Sequence, residues 1–224
     1  MEMSLILLLV WMHYIADFLI QDNAVGQEHI DRGPWKILAH ATLYGLIFAL
    51  ISPMFALITI ILHFIVDYFT VKVGYKFWNK GDTYWFFTVI GADGALHLTA
   101  LILTYCYLHG VPGNCIVVGM SIFLIWLHFI ADFLLQSEYV VKNKSKNNKT
   151  LLLHATVYSL LFFIISPVYA IVNGVLHLMV DYVTSRMTCN LWKQGKISRF
   201  FSIVGFDQAV HVTLLLGTYH YMFY

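Results

Sequence analysis

A stretch of eleven residues occurs twice in this chain. WMHYIADFLIQ at Trp11–Gln21 returns as WLHFIADFLLQ at Trp126–Gln136, an offset of 115. Downstream the offset is 114 and holds: His40 pairs with His154, Ser52-Pro53 with Ser166-Pro167, His63 with His177, Asp67 with Asp181, Trp78 with Trp192, Asp93 with Asp207 and His97 with His211. Self-similarity at a fixed period marks a chain built from copies of one unit. Whatever residues 1–112 fold into, residues 113–224 are expected to fold into as well.

Each copy contains four apolar stretches, about 3–21, 36–52, 54–77 and 85–108 in the first and about 115–136, 150–166, 168–191 and 199–222 in the second. The 224 residues are 60% apolar and 11% charged, with a mean hydropathy of +0.74. A soluble domain carries about 25% charge, whereas a membrane-spanning helix needs roughly 20 consecutive apolar residues. The expected fold is therefore all-α: a polytopic transmembrane helix bundle of eight spans, arranged as two parallel four-helix repeats. The run Met3 to Ile20 contains His13 and Asp17, lacks a basic leader and recurs later, so it reads as the first span rather than a signal peptide. Ser-Pro marks a tight turn between the second and third stretches, because proline cannot continue a helical hydrogen-bond ladder.

Four spans return the chain to the side from which it entered, so the two repeats are related by an axis along the membrane normal. The basic residues agree with this layout. Arg32, Lys36, Lys72, Lys76, Lys80, Lys142, Lys144, Lys146, Lys149, Arg186, Lys193, Lys196 and Arg199 are all 13 in the chain, and all fall between spans 1–2, 3–4, 5–6 or 7–8. The positive-inside rule makes that face cytoplasmic and puts both termini outside, which in a bacterium means the cytoplasmic (inner) membrane. Trp78 to Trp85 and Trp192 to Phe200 mix aromatics with Lys and Gly, as interfacial anchors do. A net charge of +1 supplies no basic field for nucleic acid. Cys106, Cys115 and Cys189 have no regular spacing and indicate neither a disulfide framework nor a thiolate site.

The remaining polar residues lie within the apolar stretches. The first copy carries His13, Asp17, His40, His63, Asp67, Asp93 and His97, and the second carries His128, Asp132, His154, His177, Asp181, Asp207 and His211. His13/Asp17, His63/Asp67 and Asp93/His97 are i, i+4 pairs, which share one face of an α-helix; Gln21 and Thr70 extend two of those faces. By helical rise all seven groups of a copy come to one level, roughly 6–18 Å from the basic loops. An unpaired charge at mid-membrane costs about 2.5–3.5 kcal/mol, so these aspartates need compensation. Three kinds are open: His–Asp hydrogen bonds that hold helices together, a divalent metal site of imidazole and carboxylate suited to Zn, Mn or Fe, and bis-histidine haem or a proton or ion pathway.

LHFIVDYFT at Leu62–Thr70 and LHLMVDYVT at Leu176–Thr184 resemble the HxxxDxxT signature of the bacterial membrane-bound metal-dependent hydrolases linked to the SOS response. The fuller order, HxxADFxxQ, LLHA, HxxxD and DQxxH, closely resembles the integral membrane family catalogued as domain of unknown function 3307. The likeness is plainest in the second copy, where HFIADFLLQ is followed by KNKS (Lys142–Ser145) and LLLHA (Leu151–Ala155). The first copy has Gly26-Gln27-Glu28 and Gly33-Pro34 in place of KNKS. The resemblance implies a polytopic bacterial or phage membrane protein, a metal-dependent hydrolase, with His63, Asp67, His177 and Asp181 as ligands.

Taken together, these readings predict a membrane-embedded metalloenzyme that hydrolyses a lipid-linked or membrane-partitioned ester or phosphoester at the cytoplasmic leaflet. The expected ligands are His13, His40, His63, Asp67, Asp93 and His97, and in the second copy His128, His154, His177, Asp181, Asp207 and His211. Asp17 and Asp132 are the expected general bases, and Lys36 and Lys149 are placed to hold a phosphate. Membrane lipids and a lipid-linked substrate are the expected partners. Two alternatives remain: a metal or proton carrier, and a structural protein whose His–Asp pairs fix helix packing. Both copies keep all seven groups, so two equivalent sites are expected.

Overall fold

The computed structural model describes residues 3–20, 33–110 and 115–224. Gln21, Arg32 and the Gly26-Gln27-Glu28 run lie outside the described residues. Every element among the described residues is helical, and the chain divides into two compact units, Met1–Ile122 and Phe123–Tyr224.

In the first unit, α1 (Met3–Tyr14) runs into a π-helical turn (Ile15–Leu19) and is followed by α2 (Pro34–Phe48), α3 (Pro53–Asn79) and α4 (Thr83–His109). Helix α5 (Cys115–Phe129) crosses the division between the units and also ends in a π turn, Ile130–Leu134. The second unit continues with a short α6 (Glu138–Asn143), α7 (Asn148–Leu161) ending in a 3-10 turn, α8 (Pro167–Lys193) and α9 (Ile197–Phe223). Among the described residues five helices are long and apolar enough to cross a membrane: α3, α4, α5 with its π turn, α8 and α9. At 1.5 Å per residue the 27-residue helices reach about 40 Å, more than the roughly 30 Å hydrocarbon core. Met3–Leu19, α2 and Asn148–Ile164 are shorter apolar helices.

The local signals act as their chemistry requires. Ser52 Oγ accepts from the Phe55 N–H at 3.0 Å and Ser166 Oγ from the Tyr169 N–H at 3.3 Å, each capping a helix that begins with proline. The stretch expected at 36–52 accordingly ends as a helix at Phe48, and residues 49–51 form the turn. Gly81 and Gly195 take φ of 69° and 68° between α3 and α4 and between α8 and α9, a left-handed conformation that a side chain would disfavour.

Burial is inverted relative to a soluble bundle. On α3, Leu57, Ile61, Ile65 and Phe69 form an exposed stripe, while Thr59, His63 and Asp67 on the opposite face are buried. On α8, Ile171, Val175, Met179 and Val183 are exposed while Asn173, His177, Asp181 and Thr184 are buried. Apolar stripes of this length suit lipid contact.

Within the first unit α3 packs against both α2 and α4, and within the second α8 packs against both α7 and α9. The α2–α3 contact is close because of Gly45: a Cβ there would lie 2.1 Å from Cγ1 of Ile60 and 3.2 Å from the Ala56 carbonyl oxygen. The α7–α8 contact is close because of Gly174, where a Cβ would lie 2.7 Å from Cβ of Ser159. At the offset of 114, Gly45 corresponds to Ser159 and Ile60 to Gly174. The small residue has changed helix and the bulkier one has moved to face it, so the close approach is kept by opposite means.

Candidate functional site

Asp17 and Asp132 sit in the two π turns. There the Ile20 N–H bonds to the Ile15 carbonyl at 3.1 Å and the Leu135 N–H to the Ile130 carbonyl at 2.9 Å, both i→i+5. The wider turn lies at the end of each i, i+4 pair, and in the second unit His128 Nε2 stays 3.8 Å from Asp132 Oδ2. Asp17 Oδ1 lies 2.9 Å from His40 Nε2 and 3.7 Å from His63 Nε2; Asp132 Oδ1 lies 3.0 Å from His154 Nε2 and 3.6 Å from His177 Nε2. Nothing in IADFL distinguishes a π turn from an α turn by residue type.

The first unit gathers all seven expected groups. His40 Nε2 faces His63 Nε2 at 3.0 Å, and His40 and His63 lie 3.6 and 3.3 Å from Asp67 Oδ2. His97 Nε2 stands between Asp67 Oδ1 at 3.3 Å and Asp93 Oδ1 at 3.4 Å. Thr70 Oγ1 donates to Asp93 Oδ1 at 2.7 Å, as expected for an extension of that face. His13 joins through its ring, 5.6 Å from that of His97, and its Nδ1 is 2.9 Å from the Tyr44 hydroxyl. Two groups of three can each offer converging ligand atoms: Asp17/His40/His63 and His63/Asp67/His97, which share His63.

The second unit repeats the pattern at similar distances and adds a group of four. Asp132, His154, His177 and Asp181 offer four ligand atoms that all lie within 4.8 Å of one another. His154 Nε2 is 3.2 Å from His177 Nε2, and the two histidines lie 3.4 and 3.7 Å from Asp181 Oδ2. Asp207, bonded by Thr184 Oγ1 at 2.5 Å, meets His211 Nδ1 at 3.4 Å. His128 spends both ring nitrogens on neutral partners: Nδ1 is 3.1 Å from the Tyr158 hydroxyl and Nε2 is 2.9 Å from Gln208 Oε1.

Four side chains outside the expected set enter the sites. Tyr44 and Tyr158 bond the outermost histidine and stack on the central one, with ring centroids 3.8 Å apart in both units. They follow His40 and His154 by one helical turn and recur at the same offset, a signal available in the sequence. Gln208 donates from Nε2 to Asp132 Oδ2 at 3.0 Å and Asp207 Oδ2 at 3.1 Å. Lys144, placed in a loop by its sequence position, has a side chain only 19% exposed, and its Nζ donates to Asp181 Oδ2 at 3.0 Å. It also lies 3.2 Å from His154 Nε2 and 3.9 Å from Asp132 Oδ1. Burial acts to lower the Lys144 pKa, but the carboxylates of Asp181, Asp132 and Asp207 outweigh it and hold the ammonium above the ordinary lysine range. Lys36 and Lys149, by contrast, are exposed on the first turns of α2 and α7.

The donor set fits a metal ion. Ligands about 2.0–2.1 Å from a tetrahedral centre stand about 3.3–3.4 Å from one another. Five of the six separations among Asp132, His154, His177 and Asp181 span 3.0–3.7 Å, and the sixth lies within 4.8 Å. A single N–H on His40 Nε2 cannot serve both Asp17 and His63, at 2.9 and 3.0 Å. His97 Nε2 is buried and makes no hydrogen bond among the described residues although two carboxylate oxygens face it. One cation between such lone pairs satisfies all of them at once.

Residues 120–224 match the family described as Protein of unknown function (DUF3307). No curated protein and no solved structure matches the chain.

Proposed function

We propose that this chain, whose residues 120–224 match the DUF3307 family, is a duplicated eight-span protein of the bacterial inner membrane that binds a divalent metal ion, Zn, Mn or Fe. Its basic loops face the cytoplasm. The observation that carries the metal reading is the four-donor group Asp132, His154, His177 and Asp181, buried in a unit whose outer helix faces are apolar.

The reaction that suits this chemistry is hydrolysis of a lipid-linked or membrane-partitioned ester or phosphoester at the cytoplasmic leaflet. A divalent ion held there supplies a Lewis acid and acidifies a bound water. Asp17 and Asp132 are the side chains to take the proton released, each through the carboxylate oxygen that the ion leaves free. Asp93 and Asp207, whose side chains are 23% and 13% exposed, mark the wetter edge of each centre, from which a polar headgroup would approach. The test is hydrolysis of phospholipids in liposomes by the metal-loaded protein, with Asp17→Asn/Asp132→Asn as control. Turnover lost in the variant supports the enzyme; full metal occupancy without turnover against any lipid ester contradicts it and leaves a carrier.

One observation favours a second reading, a packing network without metal. With Nε2 ligating, the ring proton of His63 and His177 sits on Nδ1, and ligating histidines usually donate that proton to an acceptor. Both Nδ1 atoms are buried without a hydrogen-bond partner among the described residues. Metal content separates the two readings.

A further inference from the structure

Among the described residues, the second centre brings a fixed positive charge to its ligand atoms. Lys144 Nζ caps the face formed by Asp181 Oδ2, His154 Nε2 and Asp132 Oδ1, at 3.0, 3.2 and 3.9 Å. These three atoms belong to the set of four that converges well enough to hold an ion. An ammonium has three donor protons and no acceptor, so it neutralises converging lone pairs as an ion does, but from outside the tetrahedron. A divalent ion at the centre of the four donors would face that ammonium with only their shared donor atoms between them. Like charges so close in a poorly hydrated site repel strongly, so each disfavours the other. Lys144 is also the residue able to leave. It follows the short α6, its side chain is 19% exposed, and its four-carbon stem reaches in from a loop rather than from a membrane-length helix.

We propose that Lys144 is a built-in competitor for the ion of the second centre, which takes a divalent cation only in exchange for the lysine ammonium. The lysine keeps Asp132 and Asp181 compensated until an event that draws it out lets an ion take its place. The inference rests on the metal reading of the four-donor group and adds what controls its occupancy.

The test uses the full chain in detergent, dialysed against Zn²⁺ or Mn²⁺ and assayed by elemental analysis. His40→Ala/His63→Ala removes the first centre's ligands and serves as background. With Lys144 present this background should hold no ion; adding Lys144→Met should give one ion per chain, lost again on adding His177→Ala. Lys144→Gln should reproduce Lys144→Met, and Lys144→Arg, which keeps the charge, should remain at zero. Monodisperse elution establishes folding, and with both neutral substitutions available a failure of one leaves the other to decide. An ion already bound in the background and lost with His177→Ala would overturn the competition while leaving the metal reading intact. No ion in the folded Lys144→Met or Lys144→Gln chain would overturn it too. If the wild-type chain is also free of metal, the metal reading fails with it.

Discussion

The two centres use the same seven kinds of side chain in the same order, and they are held differently. In the second, Gln208 ties His128, Asp132 and Asp207 together, and Lys144 stands between Asp132 and Asp181. At the position of Gln208 the first centre has Gly94, where a Cβ would meet nothing within 4 Å. The segment between Asp17 and Gly33 contains no lysine. The second unit has a group of four convergent ligand atoms besides two groups of three, His128/Asp132/His211 and Asp181/Asp207/His211, whereas in the first the convergent groups are two threes that share His63. A cation set between two carboxylates removes their repulsion and lets them close on the same histidines. Retaining every ligand is therefore not enough to make two equivalent sites, because the groups that restrain the ligands set whether the two carboxylates join one convergent group.

The largest expected effect on this comparison comes from Lys144. Removing one member of a buried ion pair costs about 3–5 kcal/mol, so Lys144→Met with chelator present should markedly lower the thermal unfolding temperature in detergent. Added Zn²⁺ should recover most of the loss, because the ion takes over the compensation. A Lys144→Met protein as stable as wild type in chelator would show that the lysine is not what restrains the second centre.

Next in size is the exchanged helix contact. Gly45→Ser places an atom against Ile60 and should cost about 1–3 kcal/mol, the usual range for overpacking. Gly45→Ser/Ile60→Gly reproduces the Ser159/Gly174 arrangement and should recover a large part of that loss in the same melting experiment. Additive destabilisation by the two changes would refute the reading of an exchange.

Gln208→Ala strands His128 Nε2 and Asp132 Oδ2, at about 1–3 kcal/mol for buried polar groups left unpaired. Gly94→Gln enters open space and should be close to neutral apart from the gain in helix propensity. Equal effects at the two positions would erase the distinction between the centres. The smallest effect is expected from Tyr44→Phe and Tyr158→Phe, which remove a single hydrogen bond to His13 or His128 while keeping the stack, about 1 kcal/mol each by thermal melting.

Much of this molecule was legible before any coordinate. Hydropathy and Ser-Pro placed the helices, because burial pattern and proline chemistry are local properties. The convergence of His13, Asp17, His40, His63, Asp67, Asp93 and His97 followed from helical rise applied to spans of alternating direction. The sequence did not show the π turns at Ile15–Leu19 and Ile130–Leu134, since an extra residue in a turn is selected by what the aspartate must reach. Lys144 was read as a loop charge because charge alone sets topology, and only its path back to Asp181 shows otherwise. Gln208 lay in plain sight in the DQxxH motif, but a neutral amide shows its value only when its three partners have positions.

The central claim is that the buried His and Asp groups hold a divalent metal. Elemental analysis of the gently purified, detergent-solubilised chain beside His63→Ala/His177→Ala tests it most directly. The account predicts stoichiometric Zn, Mn or Fe in the wild-type protein and its loss in the folded double variant. A wild-type protein free of metal that also takes up none on dialysis against these ions would contradict it.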